Sequence, residues 1–414
     1  MRQDIRPSYL QMYSRIPKKR YTMNIDALIK QYHDELYDRV IPFWLDKSQD
    51  KEFGGFFTCL NRDGEVFDTD KFMWLQGRQV WFFSMLCNKE GIREEWLECA
   101  RQGAEFMLKY GHDGDYNWYF AITREGKPLV EPYNIFSYTF AAMAFAQLHK
   151  ATGDERYAEV TRRTFNHILE RWDNPKGRWS KACPGSRDLR ALSPSMIMCN
   201  LLLEIEHLIE PEQVEKSIEL VLSDVMDKFY RPELGLVVEH LNADGTLSDT
   251  FDGRLINPGH TLETTWFLMD LARRRNDEAL ARKAVEIGLN TLDFGWDKEF
   301  GGIFYFMDRK GYPPQQLEWD QKLWWVHIES TIAMLEGYLL TGDQRCKEWF
   351  EKLHDYTWSH FRDEEYAEWY GYLNRRGEVL LPLKGGKWKG CFHVPRGLYK
   401  CEGLLKELKA KMEK

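Results

Sequence analysis

Four segments place polar groups where an apolar helix would be expected, and their residue types could do acid–base chemistry. Trp74-Leu75-Gln76-Gly77-Arg78-Gln79-Val80-Trp81 sets one arginine in an otherwise apolar stretch. Asn257-Pro258-Gly259-His260-Thr261-Leu262-Glu263 puts His260 and Glu263 three residues apart, on one helix face, directly after a Pro-Gly helix start. Lys322-Leu323-Trp324-Trp325-Val326-His327-Ile328-Glu329 puts Trp325 and Glu329 four apart on one face, with Glu329 among Ile328, Ile332 and Leu335. Gly385-Gly386-Lys387-Trp388-Lys389-Gly390-Cys391-Phe392-His393-Val394-Pro395-Arg396 places His393 just ahead of a proline suited to a first helical turn.

Charges and imidazoles in apolar helices are costly unless they are paired or used. A buried arginine is either satisfied by helix C-termini or a carboxylate, or it clamps an anion or carbonyl. Imidazole is the natural acid–base group near neutral pH. Two imidazoles flanking one carbon suit removal of a proton from one face and its return to the other. On this reading His260 and His393 are the acid–base pair, with the direction of each left open. Arg78 fixes a carbonyl oxygen, and Glu329 and Glu263 orient the imidazoles or bind hydroxyls. Trp324, Trp325 and Trp388 stack on a sugar ring. The reaction class is epimerisation or isomerisation of a sugar α to its carbonyl. A glycoside hydrolase using Glu263 and Glu329 as its carboxylate pair is a competing class, and a non-catalytic interaction protein is a third. His327-x-Glu329 is too short a signal for a metal, no HExxH spacing occurs, and no metal is expected. The glycine-rich stretch before His393 lacks the GxxxxGK[ST] order of a phosphate loop.

The elements that would bring these residues together show as a repeat. Aromatic, extended segments lead to X-Gly pairs at Asp63-Gly64, Glu125-Gly126, Asp244-Gly245, Lys310-Gly311 and Arg376-Gly377, with glycine spacings of 62, 119, 66 and 66. The long gap is about twice a unit, and Trp179 with Pro184-Gly185 near its middle marks a degenerate third copy. A second marker runs out of phase: Thr152-Gly153-Asp154 and Thr341-Gly342-Asp343, with weaker versions at Asn276-Asp277 and Glu90-Gly91. Stretches of about 18 residues with helical periodicity lie between the markers. Each unit reads as short β-hairpin, helix, tight turn, helix. The first helix, 24–45, and the last, 394–411, each have an apolar face that needs a partner. Closing the last unit on the first gives an all-α (α/α)6 barrel, a toroid of six helix-hairpin repeats with short β-hairpins at one end. Residues 1–22 read as a polar N-terminal extension carrying the basic Pro17-Lys18-Lys19-Arg20 knot, and residues 23–414 as a single barrel domain. Every inner helix starts at the same end, so Arg78, His260, Glu263, Glu329 and His393 converge there.

Composition narrows the classes further. The chain has 414 residues and a net charge of −8 with no long basic run, which argues against a nucleic-acid surface. Its eight cysteines form no CxxC pair, the first thirty residues lack an apolar signal core, and no apolar run approaches the ~18 residues of a membrane span. Reduced thiols in the cytoplasm, away from membranes, are expected. The 16 Trp, 20 Tyr and 24 Phe divide between hairpins roofing one end of the barrel and rings beside the imidazoles.

These motifs, with Gln316-Leu317-Glu318-Trp319 added, resemble those of the N-acylglucosamine 2-epimerase (renin-binding protein) family over about residues 24–405. The resemblance implies an (α/α)6 barrel, often a homodimer, interconverting N-acetylglucosamine and N-acetylmannosamine. ATP would act as an unconsumed allosteric activator. It implies that Arg78, His260, Glu329 and His393 are essential; Gln79 and Arg396, which lie within the same motifs, are expected to join Glu263 and the three tryptophans as substrate contacts. Cys391 matches a cysteine linked to activity, and its place beside His393 favours a positional role over nucleophilic catalysis. For ATP, the basic loops from Lys176-Gly177-Arg178 to Lys181 and from Arg187 to Arg190 are the candidates. Mannose and cellobiose 2-epimerisation, or aldose–ketose isomerisation, are alternatives on the same fold.

Overall fold

The computed structural model describes residues 23–183 and 185–413. The 1–22 extension with its basic knot, and Pro184 of the third repeat marker, lie outside the described residues. Twelve long helices alternate along the described residues. The first, α1, runs through Ile25–Asp34, a π-helical segment Glu35–Val40, and Ile41–Lys47. Then come α2 (Met73–Glu90), α3 (Glu94–Tyr110), α4 (Ile135–Thr152), α5 (Glu155–Glu170), α6 (Ser193–Ile205) and α7 (Pro211–Ser223). The last five are α8 (Pro258–Arg275), α9 (Glu278–Gly295), α10 (Trp324–Thr341), α11 (Gln344–Phe361) and α12 (His393–Met412).

Burial separates them into two rings. The even-numbered helices are inner: α2 is buried without a break from Met73 to Cys87, and α10 from Trp324 to Gly337. The odd-numbered helices bury one stripe each. In α5 it is Tyr157, Ala158, Val160, Thr161, Thr164, Phe165 and Ile168, the spacing of an amphipathic surface helix. The turns between inner and outer helices follow from the second marker. Gly153 and Gly342 both adopt φ of 70°, which ends the inner helix, and Asp154 and Asp343 then cap the next helix from their side chains. At Asn276-Asp277 the asparagine takes the left-handed position and the aspartate the cap. The ring closes where α12 returns to the first two helices. His33 pairs with Glu402 at 3.0 Å, Lys409 with Asp26 at 2.6 Å, and the Tyr399 hydroxyl donates to Glu90 at 2.7 Å.

At the site end the short strands link the units. All five marker glycines, Gly64, Gly126, Gly245, Gly311 and Gly377, have φ between 79° and 96°. The expected hairpin forms around Asp63-Gly64, Glu125-Gly126 and Arg376-Gly377, but one hairpin per unit needs correction, because strands also join neighbouring units. The strand entering an inner helix pairs with the next unit: Lys71–Phe72 with Ala121–Ile122, Leu255–Ile256 with Met307–Asp308, and Lys322–Leu323 with Tyr372–Leu373. Among the described residues the third unit has no hairpin of its own, and its strand Leu189–Ala191 pairs with His240–Asn242. The sixth unit meets the first through the Lys384 and Gly385 amides, which donate to the Leu60 carbonyl.

Three buried ion triads reinforce these junctions. Each joins an aspartate just after an outer helix, a fully buried lysine ahead of an inner helix, and an arginine from the following hairpin. Asp50 accepts from Lys71 and Arg124, both at 2.8 Å, and Asp297 from Lys322 and Arg375, both at 3.1 Å. Asp363 accepts from Lys384 at 2.8 Å and from Arg62 at 2.9 Å, so the third triad ties unit six to unit one. Breaking such a pair costs about 3–5 kcal/mol, because it leaves a buried charge uncompensated. The roof over the inner helix starts is therefore fixed to both rings.

Candidate active site

The starts of α8, α10 and α12 meet under this roof. Asn257 caps α8 by accepting from the His260 amide at 3.2 Å. Gly259 is required there: a β-carbon would lie 2.7 Å from the Trp325 ring, so only glycine lets that ring pack on the first turn. Trp325 consequently sits between the two imidazoles, with ring centroids 5.4 Å from His260 and 5.8 Å from His393.

Each imidazole has a carboxylate on Nδ1. His393 Nδ1 lies 2.7 Å from Glu329 Oε1, and His260 Nδ1 lies 3.0 Å from Glu239 Oε2. An ionised carboxylate only accepts, so Nδ1 is the donor in both rings and Nε2 is left for chemistry. Neither Nε2 has a hydrogen-bond partner among the described residues. Arg396 Nη2 donates to Glu263 at 2.6 Å and to Glu329 at 2.7 Å, and Trp266 Nε1 donates to the second Glu329 oxygen at 2.9 Å.

Arg78 stands across from this cluster in an aromatic cage. Its guanidinium carbon is 4.3 Å from the Trp74 ring centroid, 4.1 Å from Phe140 and 4.5 Å from Phe392. It makes no hydrogen bond or ion pair among the described residues, and its buried Nε is an orphan. Burial pushes its proton affinity down to about 9, against the opposing pull of Glu263 and Glu329. Flat faces against rings and donors without partners describe a group awaiting an oxygen.

The two imidazoles differ electrostatically. Burial, together with the positive charge of Arg78, holds His393 well below the ordinary imidazole value, and Arg396 and Lys389 add to this. Burial also pulls His260 down, but the charge and hydrogen bond of Glu239 outweigh it and raise the net value, with help from Glu263.

The structure thus gathers Arg78, His260, Glu263, Glu329, His393, Arg396, Trp324 and Trp325. Trp324 packs edge-on to Tyr372 and His393. Trp388 lies further out, half exposed, against Trp74 and Phe120 at the rim of an apolar cleft of about 540 Å³. Gln79 is a correction: its amide donates to Ser48 Oγ at 2.6 Å in the layer between α2 and the outer helices, away from the cluster. One residue along a helix turns the side chain by about 100°, so Gln79 cannot share the face of Arg78. His327 also faces away, held between the Leu323 carbonyl and the Ile303 amide. Glu263, Glu329 and His393 do present oxygen and nitrogen atoms within 4.8 Å of one another, with the Arg396 cation bonded to both carboxylates. Burial pushes the Cys391 thiol well up, which disfavours the thiolate that a nucleophile needs. Glu239 and Trp266 were not among the expected residues. The signal for Trp266 was its place three residues after Glu263 on one helix face, and for Glu239 a carboxylate closing the apolar run Leu236-Val237-Val238.

Comparison with known proteins finds relatives over most of the chain. The profile of the N-acylglucosamine 2-epimerase family matches residues 55–394. The chain is 41% identical over 388 residues to N-acylglucosamine 2-epimerase of Bos taurus, covering 91% of this chain and 90% of that protein. It is 41% identical over 409 residues to the Mus musculus enzyme of that name, covering 96% of each. The cellobiose 2-epimerase structure from Bacillus thermoamylovorans superposes with a TM-score of 0.79 at 18% identity, over 92% of this chain and 100% of that one, and shares the (α/α)6 barrel. The family profile and these relatives show that the chain belongs to the N-acylglucosamine 2-epimerase family.

Proposed function

We propose that the protein interconverts N-acetyl-D-glucosamine and N-acetyl-D-mannosamine by removing and returning the proton at C2 of the open-chain sugar. The observation that carries this reading is the pair of imidazoles on either side of Trp325, each with Nδ1 on a carboxylate and Nε2 unbonded. The kinship with mammalian enzymes of that name supports the N-acyl substrate.

The aldehyde oxygen at C1 meets the guanidinium of Arg78. One imidazole Nε2 takes the C2 proton, the C–H electron pair forms a C1–C2 double bond, and the carbonyl π pair moves onto the C1 oxygen to give an enolate. Its oxygen charge falls on Arg78, whose donors are already desolvated and need no reorganisation. The other imidazole returns a proton to the opposite face, where the C1–C2 π pair forms the new C2–H bond and the oxygen pair reforms the C1 carbonyl. Glu329 and Arg396 hold His393 in place, and Trp325 offers a flat face between the bases. Each positioned acid or base contributes about 10²–10⁴ in rate.

The glycosidase alternative loses its support in this geometry. Glu263 and Glu329 share one guanidinium, whereas a glycosidase needs one carboxyl kept protonated as an acid. A disaccharide substrate draws some support from the apolar cleft beside Trp388. Assaying N-acetylglucosamine, N-acetylmannosamine, mannose and cellobiose side by side decides between these: turnover of the amino sugars supports the reading, and turnover of cellobiose alone overturns it.

ATP as an unconsumed activator, a homodimer and a cytoplasmic location belong to the same proposal. Among the described residues, no helix is long and apolar enough to cross a membrane. In the third-unit loop, Lys176, Arg178, Lys181 and Arg187 are exposed and make no ion pair among the described residues, and Arg178 lies over the Trp179 ring at 4.7 Å. These residues would hold a polyphosphate, which supplies charge there and no chemistry at C2. Titrating epimerisation against ATP and a non-hydrolysable analogue tests this, and sedimentation tests the dimer.

A further inference from the structure

We propose that Glu239 is a positioning residue for His260, and that its uncompensated carboxylate makes His260 the imidazole that holds the proton when the pair is at rest. The inference rests on the epimerase reading and assigns each histidine its starting role.

The two carboxylates behind the imidazoles are not equivalent. Glu329 is shared among His393, Arg396 and Trp266, so much of its charge is neutralised before the imidazole sees it. Glu239 is also buried, with 6% of its surface exposed, yet among the described residues its only ion-pair partner is His260 and its Oε1 has no hydrogen-bond partner. The groups facing each ring differ in the same sense. Around His260 stand Glu239 from the strand-bearing loop after α7, Glu263 from its own helix, and the neutral ring of Trp325 from α10. Around His393 stand three cations, Arg78 from α2, Lys389 from the roof and Arg396 from α12, against Glu263 and Glu329. One proton shared by the pair therefore sits on His260, and the opposing electrostatic shifts of the two rings agree.

At rest, His393 is neutral with a lone pair on Nε2, and His260 is cationic with a proton on Nε2. His393 takes the C2 proton as the C–H pair moves into the C1–C2 double bond. His260 gives its Nε2 proton to the opposite face of C2 as the enolate electrons return to carbon. The enzyme is left with a cationic His393 and a neutral His260, and proton exchange with solvent restores the resting pair. The acid limb of the rate profile is thus set by protonation of His393, and the alkaline limb by loss of the His260 proton.

Glu239→Gln keeps the size and an acceptor oxygen but removes the charge. Burial then acts on His260 with Glu263 alone to oppose it, so the alkaline limb of kcat/KM moves about one pH unit or more towards acid, a tenfold change in protonated fraction above the midpoint. Activity at pH 8 falls, and it recovers towards wild type as the pH is lowered. A profile lowered by one constant factor at every pH would show a merely structural role and overturn the proposal. The His260 ring titration, followed by NMR in the unliganded protein and assigned by its loss in His260→Asn, reads the same effect without substrate. A lower midpoint in Glu239→Gln supports the proposal even if amino sugars prove not to be substrates, and an unchanged midpoint overturns it even if they are.

Discussion

Replacing Arg78 with methionine separates what this side chain costs the fold from what it does for the reaction. Its guanidinium is caged by Trp74, Phe140 and Phe392 within 4.5 Å, pairs with no carboxylate among the described residues, and leaves Nε without a partner. Burial brings its proton affinity down to about 9, which corresponds to about 5 kcal/mol against the charged form. Contact with aromatic faces offsets part of this, at about 0.5–2 kcal/mol each. An apolar side chain of similar volume should therefore leave stability unchanged or raise it by about 1–4 kcal/mol, with a rise of a few degrees in Tm. The same change removes the donors that meet the developing oxygen charge, worth about 10²–10³ in kcat. Circular dichroism melting and steady-state epimerisation, with kcat and KM separated, read the two effects. An Arg78→Met protein that melts many degrees lower would show that the arginine holds the barrel together. A raised KM with unchanged kcat would show that it binds the ground state and transition state equally, and would refute the assigned role.

The ion triads and the thiols give further expectations. Burial raises the Asp363 carboxyl, but hydrogen bonds from Arg62 and Lys384 outweigh it and hold it well below the usual carboxylate range. Its contribution is thus complete above about pH 4, the unfolded value, and is lost progressively as pH falls from there towards the folded value. Asp363→Asn should cost about 3–5 kcal/mol in urea unfolding at pH 7 and progressively less below pH 4; a difference constant with pH would contradict the linkage. Cys183 is the one exposed cysteine of the eight. A maleimide at pH 7 should label Cys183 alone and leave epimerisation intact, whereas inactivation in step with labelling of Cys391 would contradict its burial.

The barrel was legible because its markers have backbone causes. Gly153, Gly342 and the five hairpin glycines stand where φ is positive, and those positions mark most of the unit boundaries. The inner helices are largely buried and rich in apolar residues at their starts, so Arg78, His260, Glu329 and His393 stand out against them. Glu239 did not stand out. It reaches His260 across 21 residues of sequence, through a strand pairing of Leu189–Ala191 with His240–Asn242 that no local signal announces. The third unit was hard to read for the same reason: it borrows its strand partner from the fourth. Gln79 shows the opposite error, since adjacency to Arg78 in sequence places it on a different helix face.

The most direct test of the proton chemistry is the proton NMR spectrum of N-acetylmannosamine incubated with the enzyme in D₂O. The two-imidazole account predicts that N-acetylglucosamine signals grow in with deuterium at C2, because the returned proton comes from an imidazole in exchange with solvent. Product that keeps its original hydrogen at C2, or no product with ATP present or absent, would contradict it.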